Sequence, residues 1–268
     1  GSNLIALSLM NSGVSDAELS QLPQLCPHLR ALCLANVRAG DPAVALIAAG
    51  CRNIVHLDLE NTRVTDTGML SITTQLRLQS LNIQKCYYIT SDSLMHIGGH
   101  SADTLRTLYL GMNDCDGPQF THDALDTLFN QCVNIRALSW SEEVLSSTTP
   151  SKPVYQLKQE VAAVTTLILH WDATTLKNLS FLSTHCVHLT TLCFQWPNGN
   201  NFDGVTLPEL VSGCPELLTL IAYCEDNPDE ETLARNVILW GNVRQQLIVR
   251  TDFASAEKYR FDVMKMID

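Results

Sequence analysis

Residues 51–75 read CRNIVHLDLENTRVTDTGMLSITTQ, and this stretch decides the fold. Ile54, Leu57 and Leu59 make the pattern LxxLxL. Its last three positions have period two, which predicts a short strand. Val64-Thr65-Asp66 then leads to Met69 and Ile72. Threonine and aspartate ahead of apolar residues three apart mark a helix start. One strand and one helix of this size cannot bury their own faces, so such a unit has to stack on copies of itself.

The copies are present on both sides. Upstream stand Leu4-Leu7-Leu9 and Leu29-Leu32-Leu34. Downstream stand Leu78-Leu81-Ile83, Leu105-Leu108-Leu110, Ile135-Leu138-Trp140, Val164-Leu167-Leu169, Leu189-Leu192-Phe194 and a degenerate Leu217-Leu220-Ala222. Successive starts are 24 to 30 residues apart. The helix-start signal recurs at Val14-Ser15-Asp16, Ile89-Thr90-Ser91-Asp92 and Phe120-Thr121-His122-Asp123. Repetition at this period predicts an α/β solenoid of about nine repeats.

A cysteine stands three residues ahead of the first apolar position in several copies: Cys26, Cys51, Cys132, Cys186 and Cys214. With the V/I-T-D-x-x-L element, these residues resemble the cysteine-containing class of leucine-rich repeats, as found in F-box leucine-rich-repeat proteins. The resemblance covers residues 3–243. It implies a curved horseshoe with a parallel concave sheet and helices on the convex side. It further implies the substrate-binding array of an F-box-type ubiquitin ligase receptor, with Skp–cullin subunits held through a segment absent here. The chain departs from the pattern in three ways. Cys86 and Asn113 alone fill the usual post-strand Cys/Asn site, repeats six to nine lose T-D-x-x-L, and no F-box-like helical segment precedes the first strand.

Composition narrows the function. The 268 residues carry 17 Lys+Arg against 28 Asp+Glu, a formal charge of −11, which offers nothing to nucleic acid or anionic lipid. No apolar run approaches the length of a membrane span. Ten cysteines without any CxxC read as reduced thiols, which places the protein in the cytoplasm or nucleus. No GxxxxGK[ST] or GxGxxG phosphate loop occurs. His96 and His100 have zinc-binding spacing, but two glycines between them weaken the helix and no glutamate follows His96. His185, Cys186 and His188 form a second donor group whose cysteine sits at the buried repeat position. His56 near Asp58 and Cys33 is the best catalytic arrangement on offer, and it is weak. The reading is therefore a binding module without catalysis, metal or cofactor. A scaffold subunit of a multiprotein assembly unrelated to ubiquitin is the alternative.

Gly1-Ser2 reads as a cloning scar, residues 3–243 as the repeat domain, and 244–268 as a C-terminal cap with a last strand near Leu247–Val249. Residues 141–160 read as a loop insertion, since Ser146-Ser147-Thr148-Thr149-Pro150-Ser151-Lys152-Pro153 cannot continue a packed repeat. Long post-strand loops are expected at 111–119, 197–204 and 225–231, all on one rim, the last of them acidic.

Strand residues between the leucines are expected to face the concave side. In the first half these are small or polar, including Ala31, Cys33, His56, Asp58, Ser80 and Asn82. The second half collects Tyr109, Met112, Ile168, His170, Trp171, Gln195, Trp196, Ile221 and Tyr223. Contiguous aromatic and apolar side chains are a mark of a protein-binding surface. The partner-binding set predicted here is Tyr109, Met112, His170, Trp171, Gln195, Trp196 and Tyr223, with a protein target on the concave face and loop rim. Trp140 replaces a core leucine and is expected inside.

Overall fold

Parallel strands and the turns that join them to helices dominate the computed structural model, which describes residues 3–111, 120–141, 163–170, 184–195, 212–223 and 248–250. Two units are distinguished, Gly1–Ile135 with Phe261–Asp268, and Arg136–Arg260. In the first, the elements run β1 (Ala6–Ser8), α1 (Asp16–Leu19), α2 (Leu22–Leu25), β2 (Ala31–Cys33), α3 (Asp41–Gly50), β3 (His56–Asp58), α4 (Asp66–Gln75), β4 (Ser80–Asn82), α5 (Ser91–Ser101), β5 (Thr107–Tyr109) and α6 (His122–Gln131). Its strands pair in chain order, all parallel and in repeat register: Leu7 lies beside Leu32, Leu57 and then Leu81 and Leu108. The second unit holds β6 (Ala137–Ser141), β7 (Thr166–His170), β8 (Thr191–Gln195), β9 (Thr219–Tyr223) and β10 (Ile248–Arg250), again parallel and in chain order. This is the α/β leucine-rich-repeat architecture that the spacing predicts. The last strand falls one residue beyond its expected place.

The repeat works because each of its residues answers one backbone demand. Leu32, Leu34 and Leu57 of the strands pack on Val44, Ile47, Ala48 and Ile72 of the helices. Each such side chain buried contributes about 1.5–3 kcal/mol. At the end of α3 the Cys51 N–H donates to Ile47 O at 2.7 Å, and Cys51 O accepts from Ile54 N at 3.1 Å. The cysteine thus closes the helix and opens the strand approach, while its Sγ donates to Cys26 O of the preceding repeat at 3.5 Å. The eight described cysteines are buried free thiols.

After the strand the chain must turn. Asn11, Asn36, Asn61 and Lys85 all have positive φ, between 53° and 59°. Asparagine tolerates this left-handed conformation better than other side chains do. Next comes a buried side chain that satisfies the strand's exit: Thr62 Oγ1 donates to Leu59 O at 2.8 Å, and Cys86 Sγ donates to the same carbonyl at 2.9 Å.

The T-D element does more than start a helix. Thr65 caps α4 by accepting from Thr67 N at 3.2 Å. The aspartate that follows it reaches the next repeat. Asp41 accepts from Thr65 N at 2.8 Å and Thr65 Oγ1 at 2.6 Å. Asp66 accepts from Thr90 N at 2.9 Å and Thr90 Oγ1 at 2.7 Å, and also from Ser93. Asp16 does the same for Gly40 N at 3.0 Å. One repeat later Ser91 takes over this place and accepts from Thr121 N at 2.9 Å. Gly68 makes the approach possible: a Cβ there would collide with Asp41 Oδ1 and meet Val64 Cγ1 at 2.8 Å.

The expected insertion at 141–160 lies outside the described residues except for Ser141. So do the loops at 112–119, 197–204 and 225–231, and all of the expected cap except β10.

Candidate recognition surface

In the first unit the strands present their leucines to the helices, and in both units the residues between the leucines define the opposite side of the sheet. The sequence pattern predicts that side to be open. The structure corrects this. In the first unit Ala31, Cys33, His56, Asp58, Ser80, Asn82 and Tyr109 are all buried. In the second unit Ser139, Ile168, Cys193 and Ile221, at the position equivalent to Asp58, are buried too. Alternation tells which side of the sheet a residue occupies. It does not tell whether that side meets water.

On the first unit the polar residues of this side form a linked network. Glu60 N donates to Asp58 Oδ1 at 3.0 Å, and Gln84 N donates to Asn82 Oδ1 at 3.0 Å. Asn82 Nδ2 donates to Glu60 Oε2 at 3.5 Å, and Lys85 Nζ stands 3.4 Å from Glu60 Oε1. Asn61 Nδ2 donates to Asn36 Oδ1 at 2.8 Å along the rim. Sequence reasoning placed these residues on one side but missed the network. Charged and amide residues at equivalent positions of adjacent repeats, Glu60 beside Gln84 and Lys85, were the available signal.

The weak catalytic arrangement dissolves on inspection. His56 Nδ1 stands 3.0 Å from Ser80 Oγ, so its described partner is that hydroxyl, not a thiol. Cys33 Sγ donates to Asp58 Oδ2 at 3.5 Å. Burial, and then the Asp58 charge, push the Cys33 thiol up to about 11, the opposite of nucleophile activation. Burial, with the nearby Arg30 charge, lowers the His56 pKa. Among the described residues no group of three or more His, Cys, Asp or Glu could hold a metal ion. His188 of the second donor group instead meets Glu216 Oε1 at 3.2 Å, and Cys186 is buried.

The predicted binding residues divide between the units. Tyr109 ends β5 in the first unit and is only 7% exposed, which corrects the expectation that it stands open on the strand face. In the second unit, His170 ends β7 opposite Ser141, and Gln195 ends β8 opposite Tyr223, the end of β9. Leu169 pairs with Phe194, so His170 and Gln195 follow in step. His170, Gln195 and Tyr223 therefore terminate three adjacent parallel strands at one rim. Met112, Trp171 and Trp196 lie outside the described residues, and Trp140 is described only as part of β6.

No family model matches the chain. A stretch of 75 residues, 28% of the chain, is 39% identical to acidic leucine-rich nuclear phosphoprotein 32-related protein 1 of Oryza sativa subsp. japonica and spans 16% of that protein. The chain thus matches about a sixth of that relative's length. Among solved structures, it is similar to Rad7 in the Rad7 and Elc1 complex in yeast, with TM-score 0.52 and 14% identity over 92% of this chain and 67% of that one. The leucine-rich-repeat-containing protein LegL7 from Legionella pneumophila aligns with TM-score 0.49 and 15% identity over 92% of this chain and 94% of that one. Repeat length, strand order and the likeness to the Rad7 complex show the leucine-rich-repeat fold. Among the described residues no helix is long and apolar enough to cross a membrane.

Proposed function

We propose that the chain is a non-catalytic protein-recognition module whose target docks at the carboxyl ends of the second unit's strands. The supporting observation is the alignment of His170, Gln195 and Tyr223 at the ends of β7, β8 and β9. Trp171 and Trp196 follow His170 and Gln195 in sequence. Tryptophan and tyrosine in a binding surface supply large contact area at low conformational-entropy cost. Met112 extends the same reading to the first unit, whereas the buried Tyr109 does not. The cysteine-containing repeats and the Rad7 likeness favour one use of such a module, the substrate-binding array of an F-box-type ubiquitin ligase receptor. Skp–cullin subunits would then bind a segment outside this sequence, and catalysis would be proximity supplied by other subunits. Reduced, buried thiols suit the cytoplasm or nucleus.

The test is affinity capture from a native extract with the full-length protein, run beside a Trp171→Ala/Trp196→Ala bait. The expected result is that ligase subunits bind both baits while one further protein is lost from the mutant. Each tryptophan removed from a binding hot spot costs about 2 kcal/mol or more. A stable set of partners without any ligase subunit favours a scaffold role. A large fall in melting temperature in the double mutant, with capture unchanged at low temperature, makes the two residues core and ends the proposal for this site.

A further inference from the structure

Arg30, Arg52, Arg77 and Arg106 stand in four adjacent repeats of the first unit, one to each. Arg30 directly precedes β2, Arg52 and Arg77 lie in the approaches to β3 and β4, and Arg106 directly precedes β5. Because β2 to β5 pair in parallel, these approaches share one edge of the sheet. Neighbouring strands lie about 4.8 Å apart, so the row runs about 14 Å. All four side chains are exposed. Residues 26–30, 51–55, 76–79 and 102–106 hold one carboxylate, Asp103, against these four cations. The edge at which the helices begin differs: Asp16, Glu18, Asp41, Asp66 and Asp92 stand there in first turns.

Service to the helix ends accounts for only part of the row. A cation just past a helix favours its carbonyl end, and Arg52 Nε donates to Ala49 O of α3 at 3.1 Å. Arg106 donates to Asp103 O and Leu105 O at 3.0 and 3.1 Å, both beyond the end of α5. A guanidinium carries five N–H donors, so both arginines retain unused ones. Among the described residues the Arg30 and Arg77 side chains make no hydrogen bond, and none of the four forms an ion pair. Apolar groups adjoin the row. Ile5, whose carbonyl accepts from Arg30 N at 2.7 Å, is 46% exposed, and Leu25 at the end of α2 is 56% exposed.

We propose that this edge docks a short acidic segment of a partner protein, its carboxylates on Arg30, Arg52, Arg77 and Arg106 and an apolar residue beside Ile5 and Leu25. The planar fork of arginine matches a carboxylate with two parallel hydrogen bonds. An extended segment rises about 3.3 Å per residue, so about five residues span the row. The ten-residue helices α3 and α4 are about 15 Å long. Their first-turn carboxylates therefore lie beyond the Debye length of about 8 Å in physiological salt, and a short segment feels the arginines first. A long polyanion such as nucleic acid overhangs the row and meets the net charge of −11. The exposed isoleucine and leucine also suit a peptide better than a phosphate backbone. The proposal uses no residue of the second unit and stands whether or not its strand ends bind a target.

The experiment is fluorescence polarisation with the intact chain and a fluorescein-labelled peptide of two leucines followed by six glutamates. Saturable binding that weakens as salt is raised is expected, with no binding of the counterpart in which glutamine replaces glutamate. Arg30→Glu/Arg77→Glu is expected to weaken binding about tenfold or more. Arg38 and Arg63 are exposed and follow the left-handed turns at Asn36 and Asn61, on the other edge. Arg38→Glu/Arg63→Glu makes the same change in net charge there and is expected to leave affinity within about twofold. If the acidic peptide does not bind the intact chain, or both double variants lose affinity equally, the proposal is wrong. A labelled oligothymidylate of equal charge that binds as tightly through Arg30 and Arg77 also overturns it. Melting temperatures of both variants should match the intact chain, since the side chains are exposed. If Arg30→Glu/Arg77→Glu melts lower, Arg30→Gln/Arg77→Gln decides, and unchanged affinity there overturns the proposal.

Discussion

The strands of the two units end differently. β1 to β5 are three residues long, and β6 to β9 are five. Repeats one to three place asparagine at the turn, and Asn11, Asn36 and Asn61 take a left-handed φ there. The equivalent positions in repeats six to nine are Glu142, Trp171, Trp196 and Cys224. There the strand continues two residues further, to Ser141, His170, Gln195 and Tyr223. The buried side of the sheet differs as well. It is polar in the first unit, with Asp58 and Asn82, and more apolar in the second, with Ile168 and Ile221. The contrast shows that one repeat motif carries two separable instructions. The leucines set the stacking, and the residues between and after them set what the strand ends can do.

Exchanging the two faces should break the contrast most strongly. Ile168→Asp places an uncompensated carboxylate at a 5% exposed position and is expected to cost about 4 kcal/mol or more in a urea melt. Removing the inter-repeat aspartate comes next. Asp66→Ala leaves the Thr90 N–H and hydroxyl and Ser93 without their acceptor, at about 2–4 kcal/mol. The Asp66 carboxyl also predicts a pH dependence. Burial raises its pKa, but the hydrogen bonds from Ser93 and Thr90 prevail and hold it below the ordinary carboxylate value. Its contribution is therefore complete above the unfolded carboxylate pKa and is lost as pH falls through the lower folded value. Denaturation midpoints measured from neutral to acidic pH should fall less steeply in Asp66→Asn than in the intact protein.

Gly68→Ala tests the same junction from the other side. Asp41 would have to leave its place against Thr65, and a loss of about 1–3 kcal/mol is expected by thermal or chemical denaturation. The turn is the gentlest probe. Lys85 holds φ 57° without the advantage of asparagine, so Lys85→Asn should stabilise the turn by a few tenths of a kcal/mol, offset by loss of the Glu60 contact. A change larger than about 1 kcal/mol in either direction would show that Lys85 does more than close a turn.

How much of this was legible in advance depends on the residue. The period-two leucines place every strand from β1 to β9, because burial of alternating side chains is a local pattern. The cysteines ahead of β2, β3, β6, β8 and β9 are legible as core from their fixed place before the first apolar position. Thr65-Asp66 was read as a helix start, and only half of that element's work is local. The threonine caps its own helix, but the aspartate bonds a residue 24 positions away, and no pattern within one repeat reveals that. The candidate surface was the least legible. Alternation puts Asp58, Tyr109 and Ile168 on the side away from the leucines, but a local pattern does not tell whether that side meets water.

By itself, the sequence determined the repeat, its period, the parallel order of the strands and the identity of the leucine core. All of these follow from side-chain periodicity and from the need to stack units too small to bury their own faces. Tertiary structure alone decided three further things. It joined Asp16, Asp41 and Asp66 to the backbone N–H of Gly40, Thr65 and Thr90 in the next repeat, it aligned His170, Gln195 and Tyr223 at three strand ends, and it buried the polar face of the first unit. Each of these joins residues distant in sequence, and their energies depend on distance and desolvation in space, which no local pattern encodes.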